Sequence, residues 1–209
     1  MEFKSFIQSV KDKLGEPLPG LSSQLKMAGM RRPMKDGGVA VPADAKISAV
    51  LALFYPADGK IYIVFIKRTE YPGVHSGQVS FPGGGWEKDD KDLVYTALRE
   101  AEEEIGVDRN SVTAIGQLTE LFIPPSNFLV TPVVGYIPKR PEFTPDPDEV
   151  ERILEIPLDE LLDDSNIREK EITIFPDLIV KVPCFYIDGY VIWGATAMIL
   201  NELIDVIKH

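Results

Sequence analysis

The chain has 209 residues, and its 33 acidic against 22 basic side chains leave a formal net charge of −11. That length suits one domain with a proper core. The charge repels nucleic acid at long range and no basic run offsets it, so nucleic acid is not an expected partner. No apolar run reaches the roughly 18 residues of a membrane span. The first residues also lack the continuous apolar segment of a secretory signal, so a cytoplasmic protein is expected.

In chain order, Phe3, Phe6, Ile7, Val10 and Leu14 recur at helical spacing and predict a helix over residues 3 to 14, followed by a Pro/Gly-rich stretch. Residues 1 to 43 read as an N-terminal helical extension and connector, and 44 to 209 as the main domain. The runs 47 to 55 and 61 to 67 are rich in β-branched and aromatic residues and flank the turn string PADG, so they predict paired strands. A Gly- and Pro-containing loop then leads to FPGGG at 81 to 85. A helix is predicted over 93 to 105, with Gly106 placed as its C-terminal cap. Strand-like runs follow at 111 to 118, 128 to 136, 149 to 156 and 179 to 187, before a helical pattern at 197 to 209. Cys184 is the only cysteine, which excludes an internal disulfide, and its apolar setting predicts a small buried residue. Trp193 and Tyr190 are expected to pack in the core. Strands outnumber helices without regular βαβ alternation, which predicts an α+β fold layered on a mixed sheet.

The helix over 93 to 105 carries the chemistry. Val94, Leu98, Ala101 and Ile105 make one apolar stripe, and Glu100, Glu103 and Glu104 make a second beside it. Like charges at these spacings cost roughly 0.2 to 0.5 kcal/mol per pair even when exposed. Glu103 and Glu104 also sit in the last turn, where the helix dipole disfavours anions by roughly 0.3 to 1 kcal/mol each. A divalent cation reverses both penalties, and Mg²⁺ or Mn²⁺ takes hard carboxylate oxygens while leaving positions for phosphate and water. A solvated glutamate face is the bland alternative.

The surrounding residues favour the metal. Arg99-Glu100-Ala101-Glu102-Glu103-Glu104-Ile105-Gly106-Val107 resembles, without a gap, the second half of the Nudix hydrolase signature. In the first half, Gly84 followed by Asp90 fits best, one residue longer than the usual spacing, as in the family's coenzyme A pyrophosphatase branch. The segment before the helix is similar to that branch in Arg68, Gly77 and Phe81-Pro82-Gly83-Gly84, but has Gly73 where a second arginine is common. The resemblance implies an α/β/α sandwich around a mixed sheet. It also implies Glu100, Glu103 and Glu104 as metal ligands, with Arg99 holding the helical carboxylates in position. Glu103 and Glu149 are the candidate general bases. Lys67, Arg68, His75 and Gln78 could offer a donor-rich edge to substrate, and the glycines at 83 and 84 either make a turn or admit a diphosphate against the backbone. The implied activity is metal-dependent hydrolysis of a pyrophosphate bond in coenzyme A or its derivatives. The alternatives are another nucleoside diphosphate derivative, such as ADP-ribose or a dinucleotide, and a noncatalytic ligand-sensing domain. A homodimer would be ordinary for such an enzyme.

Overall fold

The computed structural model describes residues 2–29, 34–35, 38–70, 72, 75–175 and 178–209. Gly73 lies outside them. The N-terminal segment forms α1 (Phe3–Leu14) and α2 (Gly20–Gln24), then a small antiparallel pair, β1 (Met34–Lys35) with β2 (Gly38–Val39). The strands β3 (Lys46–Ala57) and β4 (Lys60–Arg68) form the expected hairpin. Its turn residues Asp58 and Gly59 have φ of 48° and 73°, the left-handed pair that a two-residue hairpin turn requires. The short strands β5 (Val79–Ser80) and β6 (Gly83–Gly85) lead into α3 (Leu93–Ile105). After it come β7 (Thr113–Gln117), β8 (Leu121–Ile123), β9 (Phe128–Tyr136), β10 (Val150–Pro157) and α4 (Leu158–Leu162). The chain ends in β11 (Ile167–Phe175), β12 (Leu178–Ile187), β13 (Tyr190–Trp193) and α5 (Gly194–Lys208).

The main sheet has the order β10-β4-β3-β9-β7, with β5, β6 and β8 pairing at its margins. It is mixed, because β3 and β9 run parallel from Lys46 opposite Phe128 to Phe54 opposite Tyr136, while the other pairs are antiparallel. Alternation along β3 builds two cores. Leu51, Leu53 and Tyr55 meet Ala97, Ala101 and Ile105 of α3 on one face. Ala52 and Phe54 meet Phe6 and Val10 of α1, with Met198 and Leu203 of α5, on the other. The result is the expected α/β/α layering.

Helix α3 spans the predicted residues but buries a shifted stripe. Ala97, Ala101 and Ile105 are its buried apolar residues, and Val94 and Leu98 are only half-buried at the flank. Alanines bring the helix axis close to the sheet, and the larger side chains then fall to either side. Asp92 caps the start by accepting the Tyr95 N–H at 2.8 Å, and Gly106, at φ 71°, returns its N–H to the Glu102 carbonyl.

Two further departures concern strands. Residues 109–111 form a 3-10 turn in which Asp108 accepts the Asn110 N–H, so β7 begins at Thr113 rather than 111. Beside the main sheet, β11, β12 and β13 form a separate antiparallel sheet, of which only β12 was expected. Cys184 is fully buried there, and burial pushes its thiol up. Tyr190 and Trp193 are half-buried, with Tyr190 packed against the α5-side core. The N-terminal segment is tied to α5 by Glu202, whose buried carboxylate accepts from the Gly20 and Thr119 N–H groups and from Gln24 Nε2.

Candidate active site

Helix α3 lies across β6, and the contact between them is made of glycine and carboxylate. A Cβ at Gly84 would collide with the Glu100 carboxylate, so the absence of a side chain there lets that group rest on the sheet. The next turn delivers Glu104, whose Oε2 accepts the Gly83 N–H at 2.8 Å and whose Oε1 accepts from Arg68 Nη1 at 3.0 Å. Arg68 also reaches Glu149 Oε2 at 3.5 Å, which brings a carboxylate from the loop before β10 to the same place.

Arg99 organises the other side. Its Nη1 donates to Glu100 Oε1 and to Glu103 Oε2, both at 2.9 Å. Its Nε and Nη2 grip Asp90 at 2.9 and 3.0 Å, and Nη2 also reaches the Gly85 carbonyl at 2.9 Å. Asp90, the acid chosen from the spacing, is therefore the anchor of Arg99, and it is fixed in turn by Thr96 Oγ1 at 2.9 Å and the Glu87 N–H at 3.0 Å. A buried, fork-like arginine pair of this kind orients as well as attracts. Thr96 carries no motif signal in the sequence, but it stands one turn before Glu100, where a hydroxyl on the helix can reach back to its entry loop.

The Arg99 guanidinium holds the Asp90 carboxyl below its usual 3.8, at about 2. A folded-state pKa below the unfolded one contributes stability that is complete above 3.8 and lost as pH falls through about 2. Asp90→Ala is expected to cost about 2 kcal/mol at neutral pH, because Arg99 keeps Glu100, Glu103 and the Gly85 carbonyl but loses both charge-assisted bonds to Asp90. Urea titrations should show the difference from the parent shrinking as pH drops from 3.8 to 2.

The glutamates are opposed by burial. Glu104, with 2% of its side chain exposed, is pushed up to about 7 by burial, against the Gly83 N–H and Arg68, with Glu149 and Glu100 adding to the rise. Burial also raises Glu100, and Arg99 offsets this in part. Glu103 is 59% exposed and Glu149 is 54% exposed. Among the described residues, no three acidic, histidine or cysteine side chains already converge on one point as a metal-holding group. Each helical carboxylate is instead drawn onto an arginine or the Gly83 N–H. The donor chemistry nonetheless fits a hard divalent cation: anionic oxygens, mutually repelling and partly desolvated, beside arginines that hold the carboxylates near one another.

The expected donor edge is split by strand alternation. Arg68 faces the carboxylates, whereas its neighbour Lys67 pairs with Glu151 at 2.6 Å and lines a cleft with Gly77 and Gln78. His75, at φ 71°, places Nδ1 3.2 Å from Gln78 Oε1, so these two side chains engage each other.

Residues 45–178 match the NUDIX domain family, and the chain belongs to that family. It is 40% identical over 167 residues to "Nudix hydrolase 22, chloroplastic" of Arabidopsis thaliana, covering 78% of this chain and 55% of the relative. It is 38% identical over 163 residues to "Nudix hydrolase 15, mitochondrial" of the same plant, covering 74% of this chain and 56% of that one. A bacterial relative, "Uncharacterized Nudix hydrolase NudL" of Photorhabdus laumondii, is 37% identical over 141 residues, 68% of this chain and 74% of the relative. The chain thus spans little more than half the length of the two plant proteins. Among solved structures, a MutT protein from Methanosarcina mazei Go1 superposes with a TM-score of 0.46 at 17% identity, over 77% of this chain and 92% of that one. Among the described residues, no helix is long and apolar enough to cross a membrane.

Proposed function

We propose that this chain is a metal-dependent pyrophosphohydrolase of nucleoside diphosphate derivatives, and that its preferred substrate is coenzyme A or an acyl derivative. The products are then 4′-phosphopantetheine, or its acyl form, and adenosine 3′,5′-bisphosphate. The observation that carries the reading is the gathering of Glu100, Glu103, Glu104 and Glu149 around Arg99, Arg68 and the Gly83-Gly84 backbone. The intact set of helical glutamates also weighs against a noncatalytic sensor.

Glu100, Glu103 and Glu104 are the proposed ligands for Mg²⁺ or Mn²⁺. A divalent cation, when bound, supplies neutralising charge for the diphosphate and acidifies water beside it. Arg99 keeps Glu100 and Glu103 together, and Asp90 keeps Arg99 aimed. Glu104 is buried and doubly bonded, which suits a positioning charge, whereas Glu103 and Glu149, each touching one arginine, reach solvent and are the proposed acceptors of the proton from an attacking water. Water attacks one phosphorus, the bridging P–O bond breaks, and the other phosphate leaves with that oxygen. Arg68, Gln78, His75 and the backbone at Gly83 and Gly84 are the proposed substrate contacts.

The preference for coenzyme A rests on Arg68 and the Phe81-to-Gly84 segment. The test compares kcat/KM for coenzyme A and ADP-ribose in one buffer, with coenzyme A expected to be favoured. A preference for ADP-ribose of about tenfold or more, roughly 1.4 kcal/mol in transition-state binding, would overturn the substrate while leaving the reaction class standing.

A further inference from the structure

A chain with 33 acidic and 22 basic side chains has few cations to spare for an anionic ligand. Lys60, Lys67, Arg140, Lys181 and Lys208 each end within 3.1 Å of a carboxylate oxygen. Lys46 stands over the Phe128 ring and Lys91 over the Tyr95 ring with Arg109, which pairs with Glu102, whereas Arg168 and Lys170 share one ring. Among the described residues neither has a carboxylate partner; both converge on the Tyr186 ring, with Arg168 Cζ 4.7 Å and Lys170 Nζ 4.1 Å from its centroid. Two like charges drawn onto one ring repel, and an anion between them reverses that cost.

Strand register says where this pair points. Arg168, Lys170 and Ile172 alternate with Glu169, Glu171 and Thr173, so β11 turns its cations to one face and its acids to the other. Arg168 stands opposite Cys184, Cys184 opposite Trp193, and Tyr186 opposite Val191. Residues opposite one another share a face, so the cations and Tyr186 share theirs with Ile172, Val191 and Trp193. Those three, with Thr173 and Tyr190 from the alternate register positions, line a cleft of ≈ 380 Å³ whose other wall includes Lys67, Gly77 and Gln78. The Gln78 carbonyl accepts the Arg68 backbone N–H at 3.0 Å, and the Arg68 side chain holds Glu104. The cleft lies on the Lys67 side of β4 and the carboxylates on its Arg68 side, with Arg68, the last residue of the strand, between them. From Trp193, Arg168 lies two strand spacings across the small sheet, roughly 9.5 Å, and Lys170 one further same-face position along β11.

We infer that Arg168 and Lys170 form a second anion site, reached along this cleft, which takes a phosphate monoester carried by the substrate. A guanidinium and an ammonium together match a dianion better than a single charge or an amide. The inference rests on the function proposed above, under which the group is the 3′-phosphate of coenzyme A.

Calorimetric titration of the full chain with adenosine 3′,5′-bisphosphate and with AMP tests the site without turnover. The parent is expected to prefer the bisphosphate by about tenfold or more, as charge-assisted hydrogen bonds allow. Arg168→Ala/Lys170→Ala should reduce that preference to about twofold or less, with AMP affinity and thermal midpoint unchanged. Lys181→Ala, on the opposite face, should change neither. A folded double variant that keeps the preference, or a parent that shows none, would overturn the site. Coenzyme A hydrolysis is followed alongside. If metal-loaded parent leaves coenzyme A intact yet shows the bisphosphate preference, and the double variant loses it, the proposed reaction fails and the anion site stands. If coenzyme A is hydrolysed but the double variant matches the parent in its ratio of coenzyme A to 3′-dephospho-coenzyme A turnover, the site fails and the reaction stands.

Discussion

Glu103→Gln is expected to lower kcat by about a hundredfold or more at saturating Mg²⁺, with little or no loss of stability. The side chain is 59% exposed, so an amide there meets no desolvation penalty. Its only described hydrogen bond is accepted from Arg99 Nη1 at 2.9 Å, which an amide oxygen accepts as well. Substitution also removes one of three like charges and an anion from the last turn of α3, two changes that favour the helix by a few tenths of a kcal/mol each. What is lost is the full anionic charge a hard cation requires. Steady-state kinetics with a thermal melt on the same preparation decide the matter: near-normal turnover in a folded variant would remove Glu103 from the metal site.

The two adjacent glycines should fail in opposite ways when given a methyl group. At Gly83, φ is 150°, and a Cβ would strike the Ala49 carbonyl oxygen and the Val50 backbone, neither of which can move without breaking the β3–β6 pairing. Gly83→Ala is expected to cost about 3 kcal/mol or more in urea titrations, combining backbone strain with overpacking. At Gly84 the obstacle is the far end of Glu100, which can swing away. Gly84→Ala should therefore cost about 1 kcal/mol or less in stability but lower kcat by about tenfold or more, because Glu100 leaves its place. Equal stability losses in the two variants would contradict the packing of α3 on β6 described above.

Much of this arrangement was legible in the sequence because the relevant signals are local. The helix from 93 to 105, its glycine cap and the hairpin at Asp58-Gly59 follow from periodicity and turn chemistry within short windows. The motif spacing singled out Asp90 and Arg99 separately, but that the two pair is seen only in the structure. What was hidden depends on facing. Nothing in the string Lys67-Arg68 says which cation meets the glutamates until β4 pairs with β3 and sets which side chains face α3. The shift of the buried stripe to Ala97 and Ala101 reflects how closely the helix docks. Strand β13 did have a signal: Asp188-Gly189, with φ of 49° and 85°, repeats the Asp-Gly turn of the first hairpin. Strand β11 alternates charge on both faces rather than apolar with polar, so periodicity does not mark it, and its two cations meet Tyr186 only through pairing with β12.

The most direct test of the central claim is product analysis of the purified chain incubated with coenzyme A, ADP-ribose and NADH at equal concentration, with Mg²⁺, with Mn²⁺ and with chelator. The expected result is cleavage at the pyrophosphate bond that requires the divalent ion, with adenosine 3′,5′-bisphosphate as the dominant adenine nucleotide and 4′-phosphopantetheine in equal amount. Cleavage that persists in chelator, or no cleavage of any of the three with either metal by a folded protein, would contradict the account.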